Sequence, residues 1–202
     1  NTPVQSGRVN RLALDICSEA SIAAFEARLK SMNYRPNLVL NCSGLLHSED
    51  VQPERTWRGL NKSDITAVFE VNTVGVALLI RSLIPMMPRS QRAVFASLSA
   101  RVGSIGDNRL GGWYSYRSSK AAQNMLLKCA ALEAKRLWPQ LIVLALHPGT
   151  VDTALSKPFS KRVPEHKLFS APKSCGYLES VISERTVQDS GEFFAWDGSP
   201  IV

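Results

Sequence analysis

Short apolar runs alternate along this chain of 202 residues with segments whose apolar residues recur at helical spacing. The apolar runs predict strands at 9–16, 37–41, 92–98, 141–146 and 192–196, and the helical spacing predicts helices at 21–30, 63–86, 113–137 and 172–183. Strand followed by helix, repeated, is typical of a parallel sheet with helices on both faces. We therefore predict one α/β domain over residues 1–202, built on a doubly wound, Rossmann-like parallel sheet.

Composition argues against a nucleic-acid site, a metal site and a membrane span. The net charge is +7, but the basic residues are scattered, which favours a solvated surface or attraction to an anionic cofactor over a nucleic-acid site. The four cysteines lack the close pairs of a metal site, so we expect no metal and four small buried side chains in a reducing compartment. No apolar run approaches the roughly 20 residues of a membrane span, and no signal peptide is visible. We expect a cytoplasmic protein without a membrane partner.

Tyr116 and Lys120 stand four residues apart at the start of the predicted helix 113–137, so they share one face of it. A fixed ammonium beside a phenol favours the phenolate and is expected to lower the Tyr116 pKa from its usual value near ~10. Such a phenol can exchange a proton with an alcohol or carbonyl oxygen. The alternative is a half-buried helical tyrosine beside a solvated lysine.

Polar and small residues fall where predicted strands end. Asp15 ends the first strand, 41–44 follows the second, 97–99 ends the third, and 148–153 follows the fourth. Parallel α/β sheets bind ligands beyond the carboxyl ends of their strands. These segments therefore indicate a ligand site at that edge of the sheet.

Asp15 with Ile16, the segment 41–44, Asn72, the pair Tyr116 and Lys120, and the segment 148–153 occur in this order along the chain. In this the chain resembles the short-chain dehydrogenase/reductase family, and within it the C-factor-like carbonyl reductase branch. The resemblance implies that Asp15 and Ile16 approach the adenine ring, and that Asn41, Ser43 and Gly44 line the adenosine. It implies that Asn72, a serine, Tyr116 and Lys120 form the catalytic tetrad. It also implies that Tyr116, Lys120, Pro148, Gly149, Val151 and Thr153 meet the nicotinamide end of the cofactor.

Two features depart from the family pattern. The family opens with a strand, a glycine-rich turn and a helix, then a second strand, whereas the only glycine before Gly44 is Gly7. The sheet is therefore expected to lack its first two strands. We expect a fragment of a longer protein rather than a truncated product, and weak dinucleotide binding by this chain alone, because the turn that holds the pyrophosphate is missing.

The second departure concerns the catalytic serine, which the family places three residues before the loop glycine. Counting back from Gly103, that position is Ala100. We predict that Ser99 serves instead, realigned by a one-residue bulge. The alternatives are that Ser104 acts, or that Ser97 and Ser99 only cap the strand end.

The resemblance implies hydride transfer between NADP or NAD, with a slight preference for NADP, and a small carbonyl or alcohol substrate. Tyr116 would act as general acid, Lys120 would hold the ribose, and Asn72 would bind a water leading to Lys120. A catalytically silent binding or regulatory protein without cofactor is the alternative. Helices 63–86 and 113–137 pair across a two-fold axis in the family, so we expect a homodimer.

Overall fold

The computed structural model describes residues 9–202. Its helices are Glu19–Ser31 (α1), Lys62–Phe69 (α2), Gly75–Leu83 (α3), Tyr114–Leu137 (α4) and Ala171–Glu184 (α5), with a π-helical segment, Glu70–Val74, joining α2 to α3. Its strands are Leu38–Asn41 (β1), Ala93–Leu98 (β2), Leu141–His147 (β3), Thr150–Val151 (β4), Leu168–Phe169 (β5) and Phe193–Ala195 (β6).

The main sheet has the order β1-β2-β3-β6, and all of its strands are parallel. Alternate strand residues face opposite sides, so one core lies between the sheet and α1, α3 and α4, and a second lies between the sheet and α5. A separate parallel pair, β4 with β5, follows the carboxyl end of β3. The predicted parallel sheet with helices on both faces is thus confirmed.

The predicted first strand, 9–16, is wrong. Residues 9–16 form no ladder with any described residue, although Leu12 and Ile16 pack against the core. Within residues 9–202, β1 pairs only with β2, so the other edge of β1 has no partner strand there. A strand needs a neighbour to bond its N–H and C=O groups, and hydrophobic patterning alone provides none.

The predicted helix 63–86 forms, but it begins one residue earlier and is not uniform. Asn61 caps it, with the Asn61 side chain accepting from the backbone N–H of Asp64 at 2.9 Å. By length and composition alone the continuous helix Lys62–Met86 could cross a membrane. However, Val76 and Leu79 are buried in the core against the sheet, as in the core helix of a globular domain.

The expectation of four buried cysteines is also wrong. Cys17 is half-buried, and Cys42, Cys129 and Cys175 are exposed free thiols. Cys129 lies on the outer side of α4, in one stripe with the exposed side chains of Met125 and Leu132. Cys129 stays outside the core because α4 has more apolar residues than one buried face can hold.

Candidate active site

Tyr116 and Lys120 lie on one face of α4, as predicted. The tyrosine is 8% exposed and the lysine 2% exposed, so the alternative of a solvated lysine is wrong. The Lys120 Nζ lies 5.9 Å from the centroid of the Tyr116 ring. Trp113, just before α4, has a left-handed backbone (φ 50°) that is uncommon for a non-glycine residue. The catalytic-type pair thus stands in the first turns of a helix entered through a strained residue.

The Lys120 ammonium is held at the carboxyl end of β2. Its Nζ donates to the Leu98 carbonyl oxygen at 2.9 Å and to Gln123 Oε1 at 2.8 Å. No third partner occurs among residues 9–202, although an ammonium carries three N–H groups. A Cβ built on Gly44 would lie 3.6 Å from Nζ and 3.7 Å from Asn72 Oδ1. The small residue at position 44 therefore leaves room beside the amine.

The expected lowering of the Tyr116 pKa is wrong for this structure. Burial raises the pKa of Tyr116 to about 12, and burial lowers the pKa of Lys120 to about 8. Desolvation disfavours the charged form of each group, and the amine lies over the phenol ring while it bonds to Leu98 and Gln123. At neutral pH the phenol is therefore protonated, the form that a general acid needs.

Asn72 is fully buried within the π-helical segment, and its side chain joins two parts of the site. Its Oδ1 accepts from the Leu45 N–H at 2.7 Å, and its Nδ2 donates to the Leu45 carbonyl at 2.8 Å and to Ser119 Oγ at 3.0 Å. Both amide protons are thus used within the protein. Oδ1 accepts one hydrogen bond from the described residues and has a second lone pair, where the predicted water at Asn72 would have to bond.

Asn41 and Ser43 form a bonded turn after β1. Asn41 Oδ1 accepts from the backbone N–H of Ser43 at 3.2 Å and from its hydroxyl at 2.7 Å, and Asn41 Nδ2 donates to Ser97 Oγ at 2.8 Å. These bonds tie the end of β1 to the end of β2. The structure thereby places the predicted adenosine segment and the Lys120 amine at the same edge of the sheet.

The predicted bulge before Ser99 is not formed. β2 pairs with β3 in unbroken register through Leu98, and the Ser99 N–H continues the ladder to the Leu146 carbonyl at 2.7 Å. Ser99 is buried, and its Oγ has no partner among the described residues. Ser104, the alternative, donates its hydroxyl to the Val202 carbonyl and accepts from the Asp107 N–H at 3.0 Å. Its hydroxyl is occupied, whereas that of Ser99 is not.

The segment after β3 turns away from the sheet. Ser174 Oγ donates to the Pro148 carbonyl at 2.9 Å, and Gly149 has φ 77°, a backbone that favours glycine. Val151 belongs to β4 and is half-buried, and Thr153 is exposed. These residues follow the same strand edge as Ser99, as expected, but they form no hydrogen bond with Tyr116 or Lys120 within the described chain.

Asp15 and Ile16 lie before α1, away from the strand position that was expected for them. The exposed Asp15 side chain accepts from the Cys17 N–H at 2.9 Å, closing a turn. A Cβ built on Gly75 would lie 2.8 Å from the Ile16 side chain, so Ile16 packs directly on the start of α3. A role for the two residues at an adenine ring stays a prediction.

Aromatic side chains from separate segments meet beside Tyr116. The Trp113 ring lies edge-on to the rings of Tyr116 (6.3 Å between centroids) and Phe159 (4.8 Å), and Phe159 contacts His47 at 5.7 Å. Phe159 belongs to the 3-10 segment Lys157–Arg162. The loop 157–170 therefore reaches the start of α4 and forms an apolar wall next to the phenol.

Sequence reasoning missed two buried polar residues. Glu54 accepts from the backbone N–H and the hydroxyl of Ser115, next to Tyr116, and so holds the first turn of α4. Gln123 holds Lys120. The sequence signal that could have found Gln123 is a polar side chain among the buried residues of one helix face. Glu54 is 61 positions from Ser115, and no local sequence pattern connects these two residues.

Comparisons with known proteins found a family model, sequence relatives and solved structures that this chain is similar to. The family model described as short chain dehydrogenase matches residues 2–164. The 1-hydroxy-2-glutathionyl-2-methyl-3-butene dehydrogenase of Rhodococcus sp. (strain AD45) is 32% identical over 186 residues, 92% of this chain and 76% of that protein. C-signal of Myxococcus xanthus is 28% identical over 140 residues, 69% of this chain and 78% of that protein. The NADPH-bound carbonyl reductase from chicken fatty liver matches with a TM-score of 0.81 and 27% identity, covering 95% of this chain and 76% of that one.

Proposed function

The chain belongs to the short-chain dehydrogenase family, and on that premise we propose that it is an oxidoreductase that transfers a hydride between a nicotinamide cofactor and a small carbonyl or alcohol. The observation that carries the proposal is the buried pair on α4: a protonated phenol, Tyr116, beside an ammonium, Lys120, that keeps one N–H unengaged within the described residues. A catalytically silent binding protein has no need to bury a lysine in this way, because burying a charge is costly.

Each residue has a role in the proposed reduction. Tyr116 donates its phenolic proton to the substrate oxygen, and the Lys120 ammonium favours the phenolate that remains. Ser99 donates its free hydroxyl to the same oxygen as negative charge develops there. Asn72 holds the loop after β1 against α4, and its open lone pair accepts a water that leads to Lys120.

The residues around Lys120 fit the ribose end of a nicotinamide cofactor, which when bound supplies the hydride. Lys120 Nζ lies near Gly44 and keeps one N–H unengaged among the described residues, and the ribose hydroxyls are acceptors that suit it. The remaining cofactor contacts are those that the family resemblance implies, from Asp15 to Thr153. We propose NADP or NAD, with NADP slightly preferred, and the NADPH in the chicken carbonyl reductase supports that preference.

We further propose a cytoplasmic homodimer that pairs α4 and the helix Lys62–Met86 with their copies. Supporting this is the exposed apolar stripe on α4, in which Met125 is 63% and Leu132 64% exposed. Isologous pairing is the commonest way to cover such a stripe. Light scattering of the full-length protein at micromolar concentration tests it, and a clean monomer mass contradicts it.

Replacing Tyr116 by Phe in the full-length protein tests the proposed activity. The substitution removes only the hydroxyl, so the fold should persist while NADPH-dependent reduction of a small aldehyde falls about 10²- to 10⁴-fold, the usual value of general acid catalysis. Tyr114→Phe is the matched control, because it removes the same group two residues away and should keep the parent rate.

Two results contradict the proposal. Parent-level reduction by Tyr116→Phe would remove Tyr116 from the mechanism. No reduction by the parent with either NADPH or NADH, across aldehydes and ketones, would favour the silent binding protein.

A further inference from the structure

Gln123 is a buried polar side chain that the proposed mechanism leaves unexplained. It lies three residues after Lys120 on the inner face of α4 and is 0% exposed. Leu127 and Ala130 continue the same face into the apolar core. An aliphatic side chain at position 123 would lie against that core without burying a polar group. Burying a carboxamide costs free energy unless its polar atoms are bonded, so the identity of its partners shows what the residue does.

All the bonds of the Gln123 amide are directed at Lys120 or at the strand end that Lys120 contacts. Its Oε1 accepts from Lys120 Nζ at 2.8 Å, and its Nε2 donates to Ser97 Oγ at 3.0 Å and to the Leu98 carbonyl at 3.1 Å. The orientation of the amide follows from chemistry, because an ammonium only donates and a carbonyl only accepts. The reversed amide would set donor against donor and acceptor against acceptor.

The amide also connects Lys120 to the turn after β1. Ser97 Oγ accepts from both Gln123 and Asn41, and Asn41 in turn binds Ser43. Four side chains thus bridge the ends of β1 and β2 and reach the amine. A lysine side chain has several rotatable bonds and ordinarily many rotamers, whereas here two fixed acceptors, Gln123 Oε1 and the Leu98 carbonyl, define where its nitrogen lies.

We propose that Gln123 is the positioning residue of Lys120, which holds the ammonium at the end of β2, near Gly44, and leaves its third N–H for a ligand. The proposal rests on the proposed function only for its purpose, which is to present the amine to the cofactor. The hydrogen bond from Lys120 to Gln123 is itself a property of this chain and does not depend on that function. An apolar residue at position 123 would keep the helix packed but leave the ammonium with the Leu98 carbonyl alone.

The ionisation of Lys120 measures this hold without cofactor or substrate. NMR of the chain labelled with [ε-13C]lysine follows the Lys120 signal against pH, and loss of one signal in Lys120→Arg assigns it. Gln123→Leu removes an acceptor of the charged form and should lower the Lys120 pKa by about one unit or more, from the usual strength of hydrogen bonds to charged groups. Gln123→Glu puts a carboxylate on the amine and should raise that pKa above the parent value.

Exposed Gln140, at the opposite end of the sheet, provides matched controls. Gln140→Leu and Gln140→Glu should leave the Lys120 titration unchanged. Opposite shifts at position 123 support the proposal. A Lys120 pKa that stays at the parent value in both Gln123 variants, even with a lower melting temperature, would show that Gln123 only fills the core and would overturn it.

If Gln123→Leu does not fold, Gln123→Glu decides alone: a raised Lys120 pKa supports the hold and an unchanged one overturns it. An inactive parent contradicts the proposed function but leaves this titration intact. In an active parent, Gln123→Leu should reduce the rate and Gln123→Glu should restore part of it, a pattern that loss of packing does not produce.

Discussion

Gly103 is the point at which the loop after β2 contacts α4, and it allows a sharp test of how the site is packed. It ends the 3-10 turn Arg101–Gly103. A Cβ built there would lie 2.7 Å from the Cβ of Lys120 and 3.0 Å from its carbonyl carbon. The near atoms belong to helix backbone and its first side-chain carbon, which cannot rotate away, so Gly103→Ala must displace the loop or α4.

Forcing one methyl group into a packed contact costs about 1–3 kcal/mol. For a chain of this size each kcal/mol shifts the melting temperature by about 2–4 °C. Gly103→Ala should therefore melt roughly 2–12 °C below the parent. Gly176 is the matched control: it is exposed in α5, and no atom lies within 4 Å of its built Cβ. There the same substitution should stabilise the helix by about 0.5–1 kcal/mol.

Thermal and urea denaturation of both variants, followed by circular dichroism, gives the two free energies of unfolding. The expected result is opposite signs for one chemical change. A Gly103→Ala variant as stable as the parent, with Gly176→Ala stabilised as expected, would refute the close contact between the loop and Lys120. In the full-length protein Gly103→Ala should also reduce the proposed activity, because the displaced backbone carries the Lys120 amine.

Two further outcomes follow from the site. Ser99→Ala should cost more activity than Ser104→Ala, because the Ser99 hydroxyl has no partner among residues 9–202, whereas that of Ser104 is bonded to Val202 and Asp107. Rates on one aldehyde decide, and the reverse order would give the role to Ser104. Carbonyl reduction should be fastest below pH 8 and fall as the pH rises through about 8, where Lys120 loses its proton, whereas Tyr116, with a pKa of about 12, stays protonated. A pH profile of kcat/KM from 6 to 10 that stays flat would contradict this assignment.

Local sequence patterns predicted the elements that depend only on residues close together in the chain. The apolar run 141–146 gave the central strand β3, observed as Leu141–His147, because a segment that is apolar at every position can be buried on both faces. The spacing of Tyr116 and Lys120 gave their common face, because helix geometry fixes it. Ser18, directly before α1, caps that helix by accepting from the backbone N–H of Ser21, as serine commonly does at a helix start.

Nonlocal causes account for the errors. Residues 9–16 have the pattern of a strand but no neighbour to pair with among the described residues. The pKa of Tyr116 depends on burial by other segments, and burial outweighs the nearby ammonium. Glu54 is a site residue only because the fold brings it to Ser115, which is 61 positions away in the sequence, and the contacts of Gln123 with Ser97 and Leu98 likewise depend on the packing of α4 against β2.

The hydrogen bonds of the site separate residues that build it from residues that remain available to a ligand. Asn41 and Ser97 are bonded within the protein, and so are both amide protons of Asn72. Ser99 differs: its Oγ, like His147 Nδ1, has no partner among the described residues.

Both Ser99 and His147 face α4 at the ends of adjacent strands, since they continue the alternation of Ser97 and Ala145. Burial lowers the pKa of His147 to about 4, so its ring is neutral at physiological pH. A buried hydroxyl without a partner costs the folded state about 1–3 kcal/mol. This free-energy cost arises at the carboxyl edge of the sheet, beside Lys120. A substrate oxygen bound there would accept the hydrogen bond that Ser99 lacks among the described residues. In the proposed mechanism Ser99 acts from the unbroken end of β2, one residue before the position that the family resemblance implies.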